Sequence, residues 1–346
     1  MGVRIDVVDP GSHGLGTAIG LRQLGHEVRY FGGHSAQPRE GWADGVRREL
    51  VAHVFGEVTA GERPGQGSDL LVLVDVFADY LHTLHTGIGP VGVEPSDPMQ
   101  DDAGALIYPM RLQYFCELAQ AAQQVAVIDM SDHRERREVA FEALPNAQLF
   151  AREVHGERQG KWRPFPFLYN LSMLWLEHTQ AEQGWLTREN RPQSWDWAFC
   201  GTVAHERYGR RRELAISLIA ERWPQMRGAV LGQETFEKVI AVLQSVRFGL
   251  DLPGVGELCF RMHECLALGT PVWRPLTGKV ALPPGLEGVV ATDPEQLQIR
   301  DVDAVRAIYA EHYGPRAAAT WLLEKLQNAD QYWIYQATNI APIASK

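Results

Sequence analysis

Short apolar runs alternate with longer amphipathic stretches along the chain. Residues 3–9 read as a first strand, closed by Pro10-Gly11. Residues 17–24 have helical spacing and stop at Gly25, because glycine enters the left-handed region that ends helices at little cost. Further strands are predicted at 27–31, 70–76, 91–93 and 125–129, with a helix over 110–124. Residues 70–76 are apolar almost throughout, the pattern of a strand covered on both faces. Strands alternating with helices predict a parallel sheet flanked by helices.

The texture then changes. Lys161-Trp162-Arg163-Pro164-Phe165-Pro166-Phe167 should resist regular structure, since its two prolines lack a donor and restrict their neighbours. A linker is expected within 165–195. A second series follows: strands at 197–200, 228–231, 246–250 and 271–273, helices at 210–221, 235–243 and 257–268. A closing helical region, 304–326, is interrupted near Gly314-Pro315. No close repeat or low-complexity tract is evident. The expected fold class is α/β, with two Rossmann-like domains facing a cleft and a C-terminal helix returning to the first. The expected domains are 1–180 and 190–325, with a tail, 326–346, packing back on the first. Ligands of such sheets sit beyond the carboxyl ends of the strands, so residues just after each strand matter most.

Composition narrows the function classes. The 346 residues are 45% hydrophobic and 22% charged, an ordinary globular mix. The formal net charge of −10 counts against a general nucleic-acid binder, although a local basic groove stays open. The four cysteines, Cys116, Cys200, Cys259 and Cys265, are too scattered for a disulfide framework and form no C-x-x-C. The chain reads as cytoplasmic, without a membrane span or a signal peptide.

Gly11-Ser12-His13-Gly14-Leu15-Gly16-Thr17-Ala18-Ile19-Gly20 follows the first strand and opens a helix. Glycines there permit close backbone approach, and a helix N-terminus favours an anion. A dinucleotide fingerprint fails on two counts. Ile19 stands where glycine or alanine belongs, and no acid ends the second strand, Val28-Arg29-Tyr30-Phe31-Gly32. No NAD or NADP is therefore expected. The loop is either a tight strand-to-helix turn or a ligand contact, and His13 either a general base or a turn residue.

The most informative segment runs from Arg247 to Trp273 and reads strand, glycine loop, helix, glycine stop, strand. Gly254 and Gly256 bring backbone N–H groups to a helix N-terminus, a ready diphosphate site. Arg261 and Glu264, three apart, share a helical face. A guanidinium can clamp phosphate, and a carboxylate can accept ribose hydroxyls. The structural alternative is an exposed Glu257–Arg261–Glu264 ladder of little energetic worth.

Phe260-Arg261-Met262-His263-Glu264-Cys265-Leu266-Ala267-Leu268-Gly269-Thr270-Pro271-Val272 resembles the donor-nucleotide half of GT-B glycosyltransferases, most of all the exostosin-like branch beside the family 4-like donor domain. These carry R-x-x-E followed by small-x-x-G-x-P-V. Trp197-Ala198-Phe199-Cys200-Gly201 followed by Arg207, Arg210, Arg211 and Arg212 is similar to the family's strand–Gly–Arg-rich element near the diphosphate. The resemblance implies a metal-independent glycosyltransferase using a nucleotide-diphosphate sugar and no other cofactor. It implies donor contacts at Gly201, Arg207, Arg211, Gly254, Gly256, Arg261 and Glu264, the last on the ribose. The region 304–335 resembles the helix by which such enzymes return to their first domain. Glu257 and Glu264 are seven apart, where the retaining enzymes of the largest branch place two glutamates eight apart.

The resemblance places a hydroxyl-bearing acceptor against the first domain, where inverting transfer needs a base. His13, Asp132 and His133 are the candidates, with Asp9, Asp75, Glu94 and Asp129 also following strands. Asp132 or Ser131 equally suits an N-cap. Trp162, Phe165, Phe167 and Tyr169 could line an acceptor groove or pack between domains. Rival functions are a nucleotide-sugar epimerase, a phosphorylase and a non-catalytic nucleotide or sugar binder. Nucleic acid as acceptor is disfavoured by charge.

Overall fold

A computed structural model describes residues 2–9, 13–32, 51, 54–55, 64–74, 117–120, 122–130, 146–153, 162–169, 173–178, 194–203, 209–232, 234–254, 258–276, 280, 282–298 and 301–327. They form two parallel sheets with helices, an α/β architecture of two Rossmann-like units. The first sheet comprises β1 (Arg4–Asp9), β2 (Glu27–Gly32), β3 (Leu70–Val74), β4 (Gln124–Asp129), β5 (Ala147–Ala151) and β6 (Trp162–Pro164). Their spatial order is β2-β1-β3-β4-β5-β6. The second comprises β7 (Trp195–Cys200), β8 (Gly228–Leu231), β9 (Val246–Leu250), β10 (Val272–Trp273) and β11 (Val290–Ala291), in the order β11-β10-β9-β7-β8. All pairings are parallel.

Besides helical residues at 117–120 and 173–178, six helices among the described residues carry crossovers and the C-terminal return: α1 (Leu15–Gln23), α2 (Gly209–Arg222), α3 (Phe236–Gln244), α4 (Phe260–Ala267), α5 (Val302–His312) and α6 (Pro315–Gln327). Local chemistry fixes their ends. The Thr235 hydroxyl caps α3 through Lys238 N, and the Asp301 carboxylate caps α5 through Ala304 N at 3.0 Å. Gly269 follows α4 at φ +76°, where its N–H and that of Thr270 satisfy the Leu266 and Cys265 carbonyls. None of the helices among the described residues is long and apolar enough to cross a membrane.

Buried charge is tolerated where it is paired. Asp6, in the middle of β1, takes two bonds from Arg29 (2.7 and 2.6 Å) and one from Gly65 N at 2.7 Å.

Two sequence expectations need correction. Trp162-Arg163-Pro164 is a regular edge strand, paired with Leu149-Phe150-Ala151 of β5; a proline is tolerated there because an edge strand has one side without a ladder. The helix expected at 257–268 starts only at Phe260. The closing region is interrupted at Gly314, as expected, and forms two helices. The strands β5 and β11 were not anticipated. The expected strand at 91–93 and most of the expected helix at 110–124 lie outside the described residues, as does most of the expected tail, 326–346.

After β11 the chain returns to the first sheet. Trp321 Nε1 donates to Pro164 O at 3.1 Å, Arg163 to Lys325 O at 2.8 Å, and Gln148 to Leu326 O at 3.0 Å. α6 lies on α1 so closely that a Cβ on Gly20 would fall 1.9 Å from Pro315 O. Phe165, Phe167 and Tyr169 are buried. Phe167 packs on Tyr313 and Trp321, so these rings serve the contact between halves and not an open groove.

Candidate functional site

In the second sheet, β7 leads through α2 to β8 on one side, while β9 leads through α4 to β10 on the other. The strand order therefore reverses between β7 and β9, leaving a crevice at their carboxyl ends. Gly201 and Thr202 follow β7 there, and Asp251-Leu252-Pro253-Gly254 follow β9.

One guanidinium joins these two loops. Arg212, buried in the first turn of α2, donates to Thr202 O (2.7 Å), Pro253 O (3.0 Å) and Leu252 O (3.3 Å). It also lies over the Phe199 ring, 5.2 Å from its centre. A Cβ on Gly254 would meet Arg212 Nη2 at 3.1 Å, so glycine allows the loop this close. The sequence grouped Arg212 with the arginines that neutralise a diphosphate; here it braces the loop by binding carbonyls. Arg211 and Arg210 are exposed on α2. Arg207 and Gly256 lie outside the described residues, as do Glu257, Asp132, His133, Asp75 and Glu94.

α4 points its N-terminus at this crevice. Its N-cap, Cys259, is extended and makes no side-chain cap, which leaves first-turn N–H groups without a capping side chain. Arg261 Nη1 is bonded to Glu264 Oε2 in an ion pair, with side chains 17% and 8% exposed. The pair is thus largely buried, which speaks against the alternative of an exposed Arg261–Glu264 ladder. Burial opposes the charge of Arg261, but Glu264 and then Cys200, Cys265 and Asp251 outweigh it and raise its pKa. Burial pushes the thiol of Cys200, at the end of β7, up to about 11; Arg261 draws it down and Glu264 raises it, so all three share one pocket of charge. Arg261 Nε is buried with no hydrogen-bond partner among the described residues.

Asp251, first after β9, is buried and bonded through Oδ2 to Arg274 Nε at 3.0 Å. Its Oδ1 is buried with no partner among the described residues. Burial raises its pKa against the pull of Arg274, Arg261 and Arg212.

The first sheet supplies the facing wall. Its order reverses between β1 and β3, and the loop after β1 carries His13. Asp9 at the end of β1 holds that loop. Its carboxylate accepts from His13 N (3.0 Å), Gly14 N (2.9 Å) and Tyr30 Oη (2.7 Å). These contacts give Asp9 a positioning task. The His13 ring lies 6.0 Å from that of Phe260, the first residue of α4. The glycines around it serve packing: a Cβ on Gly14 would strike Val74 at 2.6 Å, and one on Gly16 would strike Tyr169 at 2.4 Å. This is the tight-turn reading of the loop.

Two more contacts tie the sheets together, and neither was singled out in the sequence. Glu153, two residues past β5, accepts Leu258 N at 2.9 Å, just before α4. His263 Nε2 accepts Leu168 N at 3.0 Å, and its ring stacks on Tyr313 at 4.0 Å. Glu153 could have been suspected only from its place after a strand, and His263 only from lying inside the R-x-x-E segment.

No group of three or more His, Cys, Asp or Glu among the described residues could hold a metal ion. A cavity of about 310 Å³ lies elsewhere, between Phe167, Pro283-Pro284, α5 and α6 with Trp321, and none of the crevice residues lines it.

No protein-family model matches the chain, and no curated protein matches it in sequence. Solved structures do resemble it. An alpha-glucosyltransferase in complex with UDP and a 13-mer DNA containing an HMU base is 10% identical, with 94% of this chain and 100% of that chain covered and a TM-score of 0.48. The UDP-GlcNAc 2-epimerase of Neisseria meningitidis bound to UDP-GlcNAc is 13% identical, covering 94% and 100%, with a TM-score of 0.33. An O-GlcNAc transferase mutant of Thermobaculum terrenum is 13% identical, covering 95% and 64%, with a TM-score of 0.40. What assigns the chain to two-sheet α/β proteins is its own pair of parallel sheets.

Proposed function

We propose that the chain is a glycosyltransferase that moves a sugar from a nucleotide-diphosphate donor to a hydroxyl-bearing acceptor. The observation that carries this reading is the Arg261–Glu264 pair on α4, whose uncapped start lies within a strand-order reversal and has His13 beside its first residue, Phe260. The crevice between β7 and β9 would take the nucleotide. First-turn N–H groups of α4 and the Arg261 guanidinium would receive the diphosphate, whose charge grows as the sugar leaves. Glu264 uses Oε2 for Arg261 and would accept ribose hydroxyls with the rest of its carboxylate. His13, held by Asp9, would take the proton of the acceptor hydroxyl, which enters from the first sheet. No metal and no cofactor beyond the donor are needed in this scheme, because cationic side chains and backbone dipoles offset the phosphate charge.

On this reading residues 190–325 bind the donor and 1–180 the acceptor, with the exostosin-like branch the nearest in type. The test is a thermal-shift panel of nucleoside diphosphates and nucleotide sugars, followed by turnover with sugars, glycans and hydroxymethylated DNA as acceptors. A ligand at a hundredfold excess over Kd stabilises by about 2.7 kcal/mol, which is readily measured. Stabilisation by one nucleotide, with turnover that requires an acceptor, is the expected result. Acceptor-independent turnover would indicate an epimerase, and no stabilisation by any nucleotide would overturn the reading.

A further inference from the structure

The second sheet carries an apolar surface that the proposed nucleotide site does not use. Five large apolar side chains are exposed among the described residues: Val3, Trp195, Leu214, Leu218 and Val230. Four of them lie on the second sheet and its helix α2. Leu214 and Leu218 are on α2, Val230 is on β8, and Trp195 opens β7. Val230 is the register partner of Phe199, so it points to the sheet face on which Phe199 packs with Ala215 and Ile219 of α2. Trp195 shares that side by the two-residue period of a strand. β8 is the edge of this sheet.

The solvent side of α2 has an ordered pattern. Arg211, Leu214, Leu218 and Glu221 are all exposed and follow one another at spacings of three, four and three, which aligns them along one seam. The opposite side, with Arg212, Ala215 and Ile219, is buried on the sheet. Leu214 is 59% and Leu218 49% exposed, in the middle of a helix face that would otherwise be polar. Along the seam the sequence reads cation, leucine, leucine, anion. Arg222, the cation beside Glu221, is taken up by Asp293 at 3.6 Å and by the Trp223 ring, so the seam's C-terminal charge is that of Glu221.

Such a seam is complementary to itself when reversed. If two copies of α2 lie antiparallel about a two-fold axis near Ile216, Leu214 of each copy meets Leu218 of the other. Arg211 of each then meets Glu221 of the other. A parallel alignment would set arginine on arginine and glutamate on glutamate. Antiparallel helices also bring opposite dipole ends together. We propose that α2 is the isologous contact of a homodimer, a second copy of this chain being the occupant of the exposed seam, with Val230 at its flank. This assigns Arg211 to a contact between copies. A single helix seam falls short of the roughly 1,200 Å² of standard interfaces, so the dimer is weak and concentration-dependent.

The experiment is sedimentation of the full chain from about 1 to 300 µM, the range in which weak association is read. Wild type should pass from monomer to dimer, and Leu214→Glu should remain monomeric while its unfolding midpoint stays put, because the site is exposed. Arg211→Glu and Glu221→Arg should each lose dimer on their own. An equal mixture of these two variants should dimerise again, since every seam contact then pairs unlike charges. The double variant, Arg211→Glu with Glu221→Arg, should also recover. A wild type monomeric at every concentration overturns the proposal. So does a dimer indifferent to Leu214→Glu, or a charge-reversed mixture that stays monomeric.

Discussion

His263 Nε2 accepts the backbone N–H of Leu168 at 3.0 Å, fastening α4 to the segment that follows the first sheet. An imidazole that accepts at Nε2 carries its proton on Nδ1 and is neutral. Burial, reinforced by the positive charge of Arg152, holds its pKa well below the usual 6.5. The site helix is therefore anchored through a group that must stay uncharged.

Acid should loosen this anchor. Below pH 6.5 the unfolded chain protonates His263 and the folded chain does not, so stability falls as pH drops through the unfolded value and is full above it. The expected slope from this group is about 1.4 kcal/mol per pH unit, down to the folded pKa. Asp251 and Glu177, whose pKa values burial raises, act in the opposite sense at lower pH, so the comparison must be with a variant. Urea unfolding of wild type and His263→Gln at pH 7.5 and 5.5 isolates the effect; equal losses in both proteins would contradict it.

Glu264→Gln should weaken nucleotide binding on the order of tenfold, because a hydrogen bond to a charged acceptor is worth about 1.5–3 kcal/mol. The largely buried ion pair adds a second expectation. Arg261 would lose its counter-charge, so stability should fall by roughly 1–3 kcal/mol as well. Arg261→Ala should weaken diphosphates far more than the free nucleoside. Calorimetry of both variants decides; unchanged affinity in both would reduce α4 to a structural element.

Arg212→Lys retains charge but loses the fork that reaches three carbonyls from two loops. The loop after β9 should slacken. Stability should drop by about 2 kcal/mol and nucleotide affinity should fall with it. A lysine variant with wild-type affinity would show that the loop is held in place by other contacts.

His13→Ala should lower transfer by about a hundredfold or more while donor affinity stays within a few-fold, as for loss of a general base. Transfer by wild type should survive a chelator. A fall in EDTA that Mg²⁺ restores would relocate the diphosphate chemistry to a metal.

The strands β8 and β9 were legible to the residue because their apolar runs are bounded by turn residues and glycine. β5 was not, since Ala147-Gln148-Leu149-Phe150-Ala151 is short and has no β-branched residue, and its strand character comes from the neighbours it pairs with. β6 was hidden by Pro164, which is harmless only because β6 happens to be an edge. At the site, Arg261 and Glu264 could be read because three residues along a helix is a local distance. Glu153 with Leu258 and His263 with Leu168 are brought together across about a hundred residues, and no local pattern records such a meeting. The role of Arg212 was misread for a related reason: a cation next to a glycine loop suits phosphate in the sequence, while folding supplies it with carbonyls first.

Gly20 lies against Pro315, and with it the start of the chain depends on a segment near its end. The side of α1 that meets α6 stays uncovered until α6 arrives, after roughly 300 residues of intervening chain, a loop whose closure is slow and entropically costly. During synthesis α1 therefore lacks this cover until the second half has been made. The two halves are therefore coupled in stability, since α6 follows the second sheet and packs on the first. Gly20→Ala, by crowding the Pro315 carbonyl, should lower stability and slow the docking of α6 on α1 while leaving the second sheet intact.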